Sequence, residues 1–131
     1  MMTELWSLHA HQISKLFRNK EISAKDICNS LINHIEKINP KINAIVVKTY
    51  EDAKKQAKIL DKKIKNGNKM GLLAGVPITI KVNTDQTGYP STNGLRIQKD
   101  LIAKKDSPVV KNLRNSDALI LGRTNTPAFS I

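Results

Sequence analysis

Apolar positions along this chain change their period several times, and each change marks an element. Leu8, Ile13, Leu16 and Phe17 fall near helical spacing, which predicts a first helix over Leu5–Lys20 with Ser7 as its cap. A second helix opens at Ser23-Ala24-Lys25-Asp26, where serine and an acid three places on approximate a capping box. Its apolar stripe is Ile27, Leu31, Ile35 and Ile38, and Asn39-Pro40 reads as its stop. The β-branched stretch Ile42–Lys48 reads as extended. A third helix begins at Thr49-Tyr50-Glu51-Asp52, buries Ala53, Ala57, Leu60 and Ile64, and ends at Asn66-Gly67-Asn68, with Gly67 in a left-handed conformation.

Beyond Gly71 the period drops to two. Val76, Ile78, Ile80 and Val82 alternate with Pro77, Thr79 and Lys81, as a strand with one apolar face requires. Pro77 has no N–H to donate, so it belongs at the first residues of that strand or on a sheet edge. Residues 83–106 are dense in turn formers around Gly88–Gly94 and show no period, as in a long loop. Asp106-Ser107-Pro108 then reads as a helix start, Ala118–Gly122 as a second buried strand, and Arg123–Pro127 as the loop leaving it. The series predicts an α/β fold, a mixed sheet flanked by helices. It is also incomplete, because two apolar strands cannot cover their own edges.

Composition narrows this picture. The 131 residues allow at most one domain, with helices over 1–70 and the strand of Lys81 with its following α/β segment over 71–131. No apolar run has the length of a membrane span, the N-terminus has no signal-peptide pattern, and the single cysteine, Cys28, cannot form an internal disulfide. The expected location is the cytoplasm, with no membrane partner. The net charge of +11 comes almost entirely from lysine. The scarcity of arginine and aromatics argues against specific nucleic-acid binding. His9 and His11 lie two apart, off a common helical face, and Cys28 and His34 lack further ligands, so no metal site is expected, nor a cofactor.

Lys81 has two readings from its own segment: a solvated lysine on the polar face of a half-buried strand, or a lysine aimed into a site from the strand's end. The chain resembles the N-terminal part of the amidase signature family, serine hydrolases that cleave carboxamides. The resemblance is carried by the helix ending in INPKINAIV, the strand LLAGVPITIKVN, the stretch DSPVVKNLRNSDALILGRTNTPAFS, and their order and spacing. Val82 stands where the glutamyl-tRNA amidotransferase members of the family usually have aspartate, which makes the chain look more like a stand-alone amidase. Asp117 stands where the family usually has a small residue, and Ala128 where glutamate is common.

The resemblance implies a Ser–Ser–Lys triad in which Lys81 is the lysine and a serine preceded by a cis peptide bridges it to the nucleophile. A free lysine, with a pKa of about 10.4, is a poor base at neutral pH. Burial favours the neutral amine, which can relay a proton through the bridging serine. In the family both serines lie in a Gly-Gly-Ser-Ser-Gly-Gly motif downstream of the TNTP segment. Ser91, Ser107, Ser116 and Ser130 have no glycine-rich surroundings to match it. The expectation is therefore an N-terminal fragment of a carboxamide-hydrolysing amidase that keeps only the lysine and is inactive alone, with a small-molecule amide as the intact family's substrate and a complementing C-terminal chain as a possible partner. The alternative, from the lysine-rich third helix (Lys54, Lys55, Lys58, Lys62, Lys63, Lys65), is a small basic module for nucleic acid or anionic surfaces.

Overall fold

The computed structural model describes residues 4–131. Four helices, α1 (Ala10–Arg18), α2 (Ala24–Ile42), α3 (Tyr50–Lys65) and α4 (Pro108–Asn115), surround a sheet of β1 (Ile45–Lys48), β2 (Pro77–Lys81) and β3 (Leu119–Thr124). The strand order is β1-β3-β2, with β1 antiparallel and β2 parallel to the central β3. One face of the sheet, through Leu119 and Leu121, packs on Phe17 of α1, Ile27 and Cys28 of α2, and Ala53, Ala57 and Leu60 of α3. The other face, through Ile80 and Ile120, packs on Val110 and Leu113 of α4. The expected mixed sheet flanked by helices is thus the observed one.

Most local expectations hold, and the exceptions have physical causes. The capping box of α2 forms: Ser23 Oγ accepts from the Asp26 N–H at 3.0 Å, and Asp26 accepts from the Ser23 N–H at 3.1 Å. Asp61 of α3 accepts from the next two amides, Ala24 and Lys25, tying the two helices together. Pro40 does not stop α2, which runs on to Ile42 and ends with Asn43 in the left-handed region (φ 48°). A proline this close to the C-terminus interrupts only the last turn. Asn39 holds the exit, its side chain bonding both the N–H and C=O of Ile45 at the start of β1.

The first helix begins at Ala10, not Leu5. Leu5–Ser7 is a separate 3₁₀ turn, Ser7 Oγ donates back to the Glu4 carbonyl instead of capping, and Gln12 Oε1 accepts from the His9 N–H. Leu5 and Leu8 nonetheless pack against the main core. Burial therefore produced their spacing without a helix. Gly67 closes the third helix at φ 71°, as expected.

The strand β3 extends two residues beyond the expected Gly122 and carries a bulge. Ile78 pairs with Ile120, but Thr79 pairs with Gly122 and Ile80 with Arg123. Leu121 and Gly122 therefore share the face of Pro77 and Thr79, while Ile120 and Arg123, three apart, share the face of Ile78 and Ile80. Two adjacent residues on one face leave no room for two side chains. A Cβ at Gly122 would lie 2.7 Å from Ile45 Cγ2.

Asp117, the unusual residue of the α4–β3 turn, joins three elements. It adopts φ 64°, and its carboxylate pairs with Lys63 of α3 at 2.6 Å and accepts from the Gly71 N–H at 2.6 Å. Its own carbonyl accepts from the Gly75 N–H. Asp117→Ala removes these charged hydrogen bonds and places a less tolerant residue in the left-handed region, so we expect a loss of about 2 kcal/mol in denaturant titration. Asp117→Asn should cost clearly less. Equal losses for both would mean that the carboxylate charge carries the effect and that the left-handed turn and a neutral acceptor add nothing to it.

Both tyrosines are tied to carboxylates. Tyr50 donates to Glu36, and Tyr89 in the long loop donates to Asp52 at the start of α3. Burial first, then the carboxylate neighbour, pushes the Tyr89 phenol up to about 12 and the Tyr50 phenol upward as well. A raised pKa stabilises the fold fully below the unfolded value near 10, and this contribution fades as pH rises through the folded value. The folded protein should therefore show little tyrosinate absorbance at 295 nm at pH 10.5, where the denatured chain shows most of its own. Early titration of the folded protein would mean that these bonds do not form.

Candidate active site

The parallel pair β2/β3 places its carboxyl ends together, the region where α/β sheets commonly bind ligands. Lys81 is the last residue of β2, in register with Thr124 at the end of β3, and its side chain is exposed. The alternation that buries Ile80 and Val82 turns Lys81 the other way. Just beyond, Asn83 Nδ2 donates to Ser130 Oγ at 2.9 Å, and Ser130 Oγ lies 2.9 Å from Thr126 Oγ1. Residues from the two segments that leave β2 and β3 thus form one polar cluster beside the lysine strand. Sequence reasoning set Ser130 aside for want of glycines. Its link to Asn83 spans 47 positions and has no local signal.

On the opposite face of β3 stands Arg123, which the sequence assigned to a loop. Arg123 is wholly buried, turned by the bulge onto the α4 face. Its guanidinium donates to the Thr84 and Pro90 carbonyls at 3.1 and 3.0 Å and to Gln86 Oε1 at 3.1 Å. Its Nε has no partner among the described residues. Burial presses its pKa below the ordinary value, opposed by the nearby Asp85 carboxylate and Tyr89. The loop carries its own ties: Ser91 donates to Asp85, Thr87 N–H to Asp106 at 2.8 Å, and Pro90 bridges to Ile102. An open cleft of about 550 Å³ lies between this loop and β1, lined by Val46, Val82, Leu95, Arg96, Lys99 and Asn125.

The other expected features lie apart from Lys81. Of the lysines on α3, Lys54 pairs with Glu51, Lys55 with Asp52 and Lys63 with Asp117. Cys28 is buried in the main core, where burial raises its thiol pKa, so it is poorly suited to nucleophilic chemistry. The His9 and His11 rings stack at 5.7 Å, and His34 stacks on Trp6 at 3.8 Å. No helix among the described residues is long and apolar enough to cross a membrane.

This mixed α/β layer is a fold found in amide hydrolases of known structure. A bacterial aryl acylamidase of the amidase signature enzymes superposes with a TM-score of 0.89 at 35% identity, over 93% of this chain and 26% of its own. The Amidase family profile matches residues 26–131, and the chain belongs to the amidase signature family. Indoleacetamide hydrolase of Bradyrhizobium diazoefficiens is 41% identical over 126 residues, 96% of this chain and 24% of the relative. A glutamyl-tRNA(Gln) amidotransferase component of Fusobacterium nucleatum is 40% identical over 127 residues, 97% of this chain and 26% of the relative. The chain spans about a quarter of the length of these relatives.

Proposed function

We propose that this polypeptide supplies the lysine-bearing part of a carboxamide hydrolase, with Lys81 as the base-relay residue of a Ser–Ser–Lys site whose two serines lie outside these 131 residues. The observation that carries the reading is the position of Lys81, exposed at the carboxyl end of β2 and unburdened by any ion pair among the described residues. In this reading the amine takes the nucleophile's proton through the bridging serine. The serine oxygen attacks the amide carbonyl, the amine product leaves with a proton, and water hydrolyses the acyl-enzyme. Val82 favours the stand-alone branch of the family, with a small carboxamide as substrate and a reaction in the cytoplasm. The chain alone is inactive, since a lysine without a nucleophile offers no covalent route. The test is turnover of simple carboxamides by the purified chain, alone and co-expressed with a polypeptide carrying the rest of an amidase domain. Activity only in the second case supports the reading, and activity of the chain alone overturns it.

The alternative of a basic binding module is weakened by the internal pairing of Lys54, Lys55 and Lys63. It requires a preferred anionic ligand, binding that falls steeply with salt, and loss of binding on charge reversal at Lys58 and Lys62.

A further inference from the structure

We propose that Asn83 and Ser130 form a clamp that positions Lys81, locking the turn that leaves β2 to the turn that leaves β3 and so fixing how the lysine departs from its strand. The inference rests on the reading of Lys81 given above, and both are positioning residues that act through the lysine's backbone. The Lys81 carbonyl accepts from the Thr84 N–H at 3.0 Å, so residues 81–84 make a tight turn with Asn83 at its third position. From there Asn83 Nδ2 donates to Ser130 Oγ at 2.9 Å, while its Oδ1 accepts from Thr84 Oγ1 at 3.1 Å. The Ser130 hydroxyl shares a 2.9 Å hydrogen bond with Thr126 Oγ1, on a buried residue. The backbone crosses at the same point through the Val82 N–H, which donates to the Thr124 carbonyl at 3.0 Å. Past that bond, the alignment of the two exits passes to the side chains of Asn83, Ser130 and Thr126.

The backbone of the β3 exit is shaped for this contact. Phe129 and Ser130 both adopt left-handed φ, 56° and 61°, although neither is glycine. Such strain persists where the surroundings over-determine it, and it collects at functional sites. The surroundings here come from the long loop. The Phe129 N–H donates to the Asn93 carbonyl at 2.9 Å, and Gly94 lies so close that a Cβ on it would stand 2.7 Å from the Thr126 carbonyl oxygen. Residues 126–130 are thus held from behind by the loop and from in front by Asn83. Glycine at position 130 would make the same turn without strain. What serine adds is the hydroxyl, and its partner is Asn83. A misplacement of about 1 Å in a reacting geometry can cost about 10²-fold in rate. A clamp two residues from the lysine therefore matters to turnover even where it matters little to folding.

The test has two readouts. In the chain alone, amide hydrogen exchange at Thr84 should quicken about ten-fold in Asn83→Ala and in Ser130→Gly. Leu119, whose N–H donates to the Val76 carbonyl at the far end of the strand pair, serves as the unchanged reference. Unaltered exchange at Thr84 overturns the clamp, and so does equal quickening at Leu119, which would mean a general loosening. The second readout is amide turnover by this chain co-expressed with the Bradyrhizobium indoleacetamide hydrolase lacking its matched quarter. Each variant should lower kcat about ten-fold with KM held, and the double variant should be no worse than either single one. Ser130→Gly separates positioning from folding: glycine suits the local φ, so melting should not fall, and a merely structural serine predicts full turnover. Faster exchange at Thr84 with full turnover, or losses that add in the double variant, overturns the positioning role and leaves the reading of Lys81 standing. Absence of Lys81-dependent turnover in the unsubstituted assembly sinks that reading and, with it, the role built on it.

Discussion

Replacing Lys81 with alanine in the assembled enzyme should lower amide turnover by about 10²–10⁴-fold, the range for loss of a positioned proton-transfer group. The loss should fall on kcat more than on KM, since the relay acts as the bond forms and the ground state gains little from it. Lys81→Arg should be equally impaired. A guanidinium keeps the positive charge but does not deprotonate in the working range, so rescue by arginine would reassign Lys81 to electrostatic binding. The same substitutions should leave the melting of the isolated chain within about 0.5 kcal/mol, because the side chain is exposed. A large loss of stability would make the kinetic loss uninterpretable as chemistry and would argue that Lys81 holds the fold.

The second large effect belongs to Arg123→Met. The guanidinium is the one group that reaches from β3 to three points of the long loop, Thr84, Gln86 and Pro90. Methionine fills much of the volume but leaves one buried acceptor, on Gln86, and two half-buried ones, on Thr84 and Pro90, without donors, at about 1–3 kcal/mol for a buried group and less for a half-buried one. Relief from burying the charge offsets part of this. We expect a net loss of about 3 kcal/mol, a drop in Tm of roughly 10 °C for a domain of this size. Hydrogen exchange should quicken across residues 84–91 before it does in α2 or α3. Arg123→Lys should not restore the loop, since an ammonium cannot span the three acceptors as the planar fork does. Unchanged stability with an unchanged loop would mean that Asp106, Ser91 and Tyr89 hold the loop by themselves.

These two residues show what the sequence makes legible. The face on which Lys81 stands was readable because a period of two fixes which side chains share a face, and Pro77 had to lie at the strand's first residues or on an edge; a role for Lys81 came from the resemblance alone. The Ser23–Asp26 box was readable because its partners are three residues apart. Arg123 was not, because its burial depends on acceptors 33 to 39 positions away and on a bulge that hides within an apolar run. The Asn83–Ser130–Thr126 cluster escaped for the same reason. It is assembled by the parallel pairing of β2 and β3, which no local pattern records. Asp117 read as a departure from the family, yet the structure gives it two charged hydrogen bonds and a left-handed turn that suits aspartate.

The extra residue in β3 also makes this stretch unusually sensitive to changes in length. Gaining one residue between Gly122 and Arg123, with the bulge kept, would swing the guanidinium to the opposite side of the sheet, among Ile27, Ala57 and Leu60. The loop ahead of it would lose its anchor while a charge entered the aliphatic layer. Short insertions should therefore survive near Ile97, at an exposed point of the loop, whereas a single-codon insertion between Gly122 and Arg123 should be lethal to folding.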